Sequence, residues 1–166
     1  MNVSLSPTPD SYRISPLTGS DKSTVMELNS ICFPPGESYT HHTFDFLFSD
    51  PSVIGYKCEG QMGDLLAFIF LMISPDGSAH VTTIGVRPDQ RRKGIGKALM
   101  MQGEMAIQKR GYSTLLLEVR NSNDAGRALY GKLGFIVVQR LEKYYNDGED
   151  GVLMMKALNL LSNSNE

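Results

Sequence analysis

Tryptophan is absent from this chain, cysteine occurs only twice, and neither sign of charge dominates: 16 lysines and arginines face 18 aspartates and glutamates, a formal charge of -2. So even a balance gives no electrostatic reason for a nucleic acid or an anionic membrane as partner. Cys32 and Cys58 lie far apart with no companion at metal-ligand spacing, which excludes a disulfide scaffold and suits a reducing, cytoplasmic setting. Both read as buried hydrophobes. No apolar run approaches a membrane span. Residues 1–10 are rich in serine and proline and lack the basic start and apolar run of a signal peptide. What is present is 41% hydrophobic content over 166 residues, enough for one compact core. The expectation is a single domain over residues 11–160, with polar tails at 1–10 and 161–166.

Hydrophobic period divides that domain. A short strand is expected over Tyr12 to Leu17, then a helix capped by Ser20 or Asp21 and carrying Val25, Leu28 and Ile31. A second helix runs from His41 to Phe48 and stops before Pro51. Val53 to Cys58, Leu65 to Ile73 and Ala79 to Val86 read as an antiparallel meander, joined by turns at Glu59 to Asp64 and Ser74-Pro75-Asp76-Gly77. From Gly94 to Lys109 the residues Ile95, Ala98, Leu99, Met105 and Ala106 share one helical face. Ser113 to Val119 follows as a strand with the continuous apolar run of a buried parallel position. A short helix (Asp124 to Leu133) and strands at Phe135 to Leu141 and Val152 to Ala157 complete the order. Strand, helix and strand from Ala79 to Val119 form a βαβ unit, which makes its two strands parallel neighbours.

Between the first strand of that unit and its helix stands Gln90-Arg91-Arg92-Lys93-Gly94-Ile95-Gly96-Lys97. Two glycines let backbone N–H groups converge, and the helix start adds unpaired donors and partial positive charge, so the loop suits a diphosphate. A Walker loop would need glycine at Arg91 and Ser or Thr at Ala98, and a dinucleotide fingerprint would need glycine at Leu99; both fail.

The loop resembles the acetyl-CoA loop of the GNAT superfamily of N-acetyltransferases. That resemblance implies an α/β (α+β) GNAT fold: a mixed, mostly antiparallel sheet of about seven strands with a splayed parallel pair at its centre and about four helices. It implies acetyl-CoA as cofactor, contacted by Arg91, Arg92, Lys93, Gly94, Ile95, Gly96 and Lys97. It also implies that Ile84, Gly85 and Val86 offer backbone to the pantetheine arm, with an N–H near Ile84 or Val86 as oxyanion donor. Gly85 is the expected bulge that splays the strand.

A second run, Leu117-Glu118-Val119-Arg120-Asn121-Ser122-Asn123 with Ala128-Leu129-Tyr130 and Leu133-Gly134-Phe135, resembles the N-alpha-acetyltransferases, especially the bacterial ribosomal-protein-alanine type. The resemblance implies Glu118 as general base and Tyr130 as general acid, with Asn121, Asn123 and Tyr130 near the cofactor. Chemistry agrees, because an α-amino group with a pKa of about 8 is mostly protonated at neutral pH and must lose its proton before it attacks a thioester. The alternatives are a strand-end carboxylate paired with a basic residue for Glu118, an aromatic packing residue for Tyr130, and helix capping for one asparagine.

On the acceptor side, Phe33-Pro34-Pro35-Gly36-Glu37-Ser38-Tyr39 resembles the substrate loop of eukaryotic-type N-terminal acetyltransferases, with longer spacing. Phe33 and Pro34 would line a side-chain pocket, while Tyr39, Tyr144 and Tyr145 grip peptide backbone; ordinary loop packing is the other reading. His80 stands where some relatives place a proton-handling tyrosine, and is expected at the substrate or merely solvated. Adjacent His41 and His42 diverge on a helix and have no third ligand, so no metal is expected. Three functions remain: transfer to a protein N-terminus in a ternary complex; the same chemistry on a lysine, polyamine or other small amine; or a non-catalytic acyl-CoA-binding subunit. The partner expected for the first is a protein or peptide N-terminus, met by a monomer or weak homodimer.

Overall fold

The computed structural model describes residues 11–159, so the expectations for the end segments 1–10 and 161–166 lie outside the described residues. Its centre is the apolar run Leu65-Leu66-Ala67-Phe68-Ile69-Phe70-Leu71-Met72-Ile73, which forms strand β3 (Leu65–Ile73). Side chains alternate across a strand, so a run without polar residues can be stable only where both faces are covered. That is what the packing provides: Ala67, Ile69 and Leu71 join one buried cluster and Phe68 and Phe70 another. Each large side chain so buried contributes about 1.5–3 kcal/mol relative to exposure.

Strands β1 (Arg13–Pro16), β2 (Val53–Glu59) and β4 (Ser78–Val86) complete the antiparallel part, in the order β1-β2-β3-β4. The two turns are closed by Gly60 N–H to Asp64 O at 2.9 Å and Ser74 N–H to Ser78 O at 2.9 Å. Gly63 and Gly77 take positive φ there, 77° and 87°, a region costly for other residues. Past β4 the sheet continues with β5 (Thr114–Arg120), β7 (Gly151–Ala157) and the edge strand β6 (Ile136–Leu141). Among the described residues, seven strands therefore form one mixed sheet whose single parallel contact is β4 with β5.

Helices α1 (Lys22–Cys32) and α2 (His41–Ser49) cover the Phe68 and Phe70 face through Val25, Leu28, Phe44 and Leu47. Helix α3 (Ile95–Lys109) covers the opposite face, and α4 (Asp124–Lys132) follows β5 on that side, with Tyr130, Leu133 and Phe135 packed against the same cluster. The buried stripe of α3 is Ile95, Leu99, Met100, Gly103, Ala106 and Ile107, so Met105, expected in it, is instead exposed. Gly103 replaces it because the backbone lies against Leu71: a Cβ there would stand 3.0 Å from Leu71 Cδ1. Asp21 does not cap α1 through its side chain; its carboxylate accepts from Thr18 N–H at 2.8 Å and from Lys57 Nζ at 2.7 Å. Among the described residues no helix is long and apolar enough to cross a membrane.

The expected bulge is displaced. Phe70 pairs with Thr83 and Leu71 with Val81, which leaves Thr82, not Gly85, as the extra residue of β4. Gly85 serves close approach instead, since a Cβ would sit 2.8 Å from Cε1 of the buried Phe68 ring. Gly85→Ala should therefore destabilise the fold: overpacking costs about 1–3 kcal/mol, against about 0.4–1 kcal/mol recovered from lower unfolded-chain entropy. Urea denaturation should show a lower midpoint than wild type, and an unchanged or higher midpoint would contradict the packing account.

Candidate active site

β4 and β5 share three parallel rungs, Ser78 with Thr114, Ala79 with Leu115 and His80 with Leu116, and then diverge. β4 remains paired with β3 as far as Val86, and β5 with β7 as far as Arg120, so the divergence opens a slot rather than fraying either strand. The hydrogen bond from Arg87 N–H to Leu66 O, 2.8 Å, sets which way the backbone of β4 alternates. Counting back from it, Ile84 and Val86 point their N–H and C=O groups away from β3 and toward the slot. The Val86 carbonyl meets the Cys32 thiol at 3.4 Å and Arg91 Nε at 3.0 Å.

The slot is part of a cleft of about 1060 Å³. Its walls come from the α1–α2 loop (residues 33–40), β4 from Val81 to Ile84, β5 from Leu117 to Arg120, Asn123 at the start of α4 and Tyr130 within it, and Tyr144 to Asp147 of the β6–β7 loop. Of the residues singled out in the sequence, Phe33, Pro34, Tyr39, Ile84, Glu118, Asn123, Tyr130, Tyr144 and Tyr145 line it together. His80, Gly85, Val86, Asn121 and the segment 91–97 are not among the lining residues.

Glu118 is two residues beyond the last parallel rung, on the strand face it shares with Leu116 and Arg120. His80 lies directly behind a lining residue of the cleft, its Nε2 pairing with Glu118 Oε2 from the β4 side of the divergence. The phenols of Tyr39, Tyr144 and Tyr145 line the same cleft as the carboxylate. Burial pushes all three up, Tyr145 to about 12, and the Glu118 charge raises each further, so they remain protonated donors. Tyr130 packs against Phe135 at 6.0 Å between ring centroids, and burial raises its phenol as well. Asn123 is the capping asparagine, accepting from Gly126 N–H at 2.9 Å, while the exposed Asn121 donates its N–H to Asp150 O at 3.0 Å.

Arg120 joins two loops that line the cleft. It pairs with Glu37 of the α1–α2 loop and with Asp147 (2.8 Å) and Glu149 (3.1 Å) of the β6–β7 loop, and stacks 4.1 Å from the Tyr145 ring centroid. The signal was available: in a strand that puts Glu118 into a cleft, period two puts Arg120 there too. Cys32, expected to be buried, is half-buried in the cleft wall, whereas Cys58 is fully buried.

The loop before α3 has the form a diphosphate requires. Arg92 and Gly94 take positive φ, 62° and 82°, and the first helical bond is Ala98 N–H to Gly94 O at 3.0 Å, so the preceding amides begin the helix without intrahelical acceptors. A Cβ on Gly94 would meet nothing within 4 Å, so its backbone lies open. Lys97 follows in the first turn, and Arg91, Arg92 and Lys93 are exposed around it. These residues fit the diphosphate of a coenzyme, with the Ile84 and Val86 backbone leading from it toward Glu118.

Arg120 also makes a pH prediction. Asp147 is held below the usual carboxylate range chiefly by the Glu149 N–H, and Glu149 chiefly by the Ser122 hydroxyl and N–H; Arg120 lowers both further. Folded values below the unfolded value of about 4 mean that this stabilisation is present above that pH and lost as pH falls through the folded values. Arg120→Gln should melt below wild type near neutral pH, with the gap narrowing toward about pH 3. A gap independent of pH would contradict the pairing.

The comparisons with known proteins agree with this geometry. The Acetyltransferase (GNAT) family profile matches residues 23–135. An N-alpha-acetyltransferase of Sulfurisphaera tokodaii is 32% identical over 160 residues, covering 89% of this chain and 93% of that protein. The ribosomal-protein-alanine N-acetyltransferase of Escherichia coli is 39% identical over 97 residues, 57% of this chain and 65% of that one. The crystal structure of the Escherichia coli enzyme superposes with a TM-score of 0.83 at 29% identity, covering 93% of this chain and 98% of the other. The chain therefore belongs to the GNAT acetyltransferase family and is an enzyme that transfers acetyl from acetyl-CoA.

Proposed function

We propose that the acceptor is the N-terminal α-amino group of a protein, of the ribosomal-protein-alanine type, acetylated by direct attack in a ternary complex. The observation that carries this reading is Glu118 at the mouth of the strand divergence, paired with His80 and lining one cleft together with Tyr39, Tyr144 and Tyr145. An ammonium entering between the two loops finds one carboxylate to accept its proton and phenols to orient backbone carbonyls. The names of the relatives support an N-terminal acceptor.

Acetyl-CoA supplies an activated acetyl carbonyl. The chain contributes the remainder. Segment 91–97 holds the diphosphate, and the N–H groups of Ile84 and Val86 face the slot as donors for pantetheine and for developing oxygen charge. Glu118 removes the amine proton, with the His80 contact at Oε2 holding the carboxylate in place. Tyr130, kept protonated by burial, is the acid. Direct attack is favoured over a cysteine relay, since burial pushes the Cys32 thiol up more than nearby Arg91 offsets, and Cys58 is pushed up to about 11. A thiol so placed is a poor nucleophile at neutral pH.

Glu118→Gln should lower kcat by about 10²–10⁴-fold, the usual share of general base catalysis, with CoA affinity by calorimetry nearly unchanged. A wild-type rate would remove Glu118 from the mechanism. The acceptor is tested with Ala-initiated peptides bearing free or blocked N-termini and an internal lysine. Turnover of the free peptide alone is expected, and equal turnover of both would transfer the assignment to a lysine or small-amine acceptor.

A further inference from the structure

Thr82 occupies an unusual place in β4. As the bulge residue it has no partner in β3, and it lies beyond His80, the last residue paired with β5. Its carbonyl is therefore outside both ladders, and its buried Oγ1 has no hydrogen-bond partner among the described residues. The phenol of Tyr39, on the α1–α2 loop that lines the same cleft, donates to the carbonyl at 3.0 Å. Tyr39 is firmly seated. Buried Asn29 donates from Nδ2 to Ser38 Oγ at 2.7 Å, the N–H groups of Glu37 and Ser38 reach Pro34 O at 3.0 and 3.1 Å, and the Tyr39 ring packs edge-on against Phe44 at 6.1 Å.

We propose that Tyr39 is a positioning residue for the cofactor strand: by holding the Thr82 carbonyl it fixes the bulge that aims the Ile84 and Val86 backbone into the slot, and so couples the acceptor loop to coenzyme binding. This rests on the reading of β4 as the strand that receives the pantetheine arm. A half-buried carbonyl that loses its donor is destabilised, so loss of the phenolic hydroxyl lets the bulge rearrange, and Ile84 lies only two residues farther on. Burial, with the nearby Glu118 charge, keeps the phenol protonated and able to donate. Coupling is reciprocal: a coenzyme that requires the bulge in this form must also steady the loop that holds it.

The test uses the full chain, with CoA alone and no acceptor. Calorimetry should show Tyr39→Phe binding CoA roughly fivefold more weakly than wild type, the scale of one hydrogen bond. Ser38→Ala, which loosens the loop through a different bond, should weaken it in the same direction. Amide exchange across residues 36–40 should slow when CoA binds wild type and respond less in Tyr39→Phe. Unchanged CoA affinity in both variants, with equal protection of the loop, would overturn the coupling and leave Tyr39 an acceptor-side residue only. If wild type itself fails to bind CoA, the failure belongs to the reading of β4 and the glycine loop instead.

Discussion

Three rungs of parallel pairing, and no more, join the two halves of the sheet, and the chemistry depends on their ending at His80 and Leu116. Each strand can leave the other because each keeps a second neighbour, β3 for β4 and β7 for β5. The cost is a set of backbone groups without ladder partners, each worth about 1–3 kcal/mol if buried and left unsatisfied. The structure meets that cost locally. The Val86 carbonyl takes the Cys32 thiol and Arg91, and the Thr82 carbonyl takes Tyr39. Groups around the slot are thus held by side chains from α1, the α1–α2 loop and the glycine loop, which ties the wall of the cleft to the strand it faces.

The acceptor side follows an electrostatic logic of its own. One guanidinium, Arg120, meets Glu37, Asp147 and Glu149, so the rim has an excess of negative charge, which suits the proposed entry of a positively charged amine there. The same arginine stacks on Tyr145, whose ring meets Tyr144 at 5.1 Å and nearly perpendicular, so the paired tyrosines are braced from behind. Gly151 at the start of β7 accommodates them, since a Cβ there would stand 3.1 Å from Tyr145 Cε2.

Much of this was legible in the residues. The apolar run of β3, the glycines of its turns and the glycine loop before α3 each have a local physical signature, and the elements fall close to where period and turn chemistry put them. What escaped was set by tertiary contact. The bulge belongs to Thr82 and not to Gly85, because Gly85 is needed to clear the Phe68 ring on the neighbouring strand. Met105 gave way to Gly103 because α3 approaches Leu71 more closely than a side chain allows. His80 turned toward Glu118, because the last rung sets their strands side by side. The role of Arg120 could have been inferred from its period-two relation to Glu118; its three partners lie on two distant loops and could not.

The central claim is that a coenzyme lies along the open edge of β4 with its diphosphate at the start of α3. Titration of the ¹⁵N-labelled protein with CoA, followed by amide chemical shifts, tests it directly. The account predicts that the largest changes fall on Thr83 to Val86 and on Gly94 to Lys97, saturating together. Binding that leaves both segments silent, or no binding at all, would contradict it.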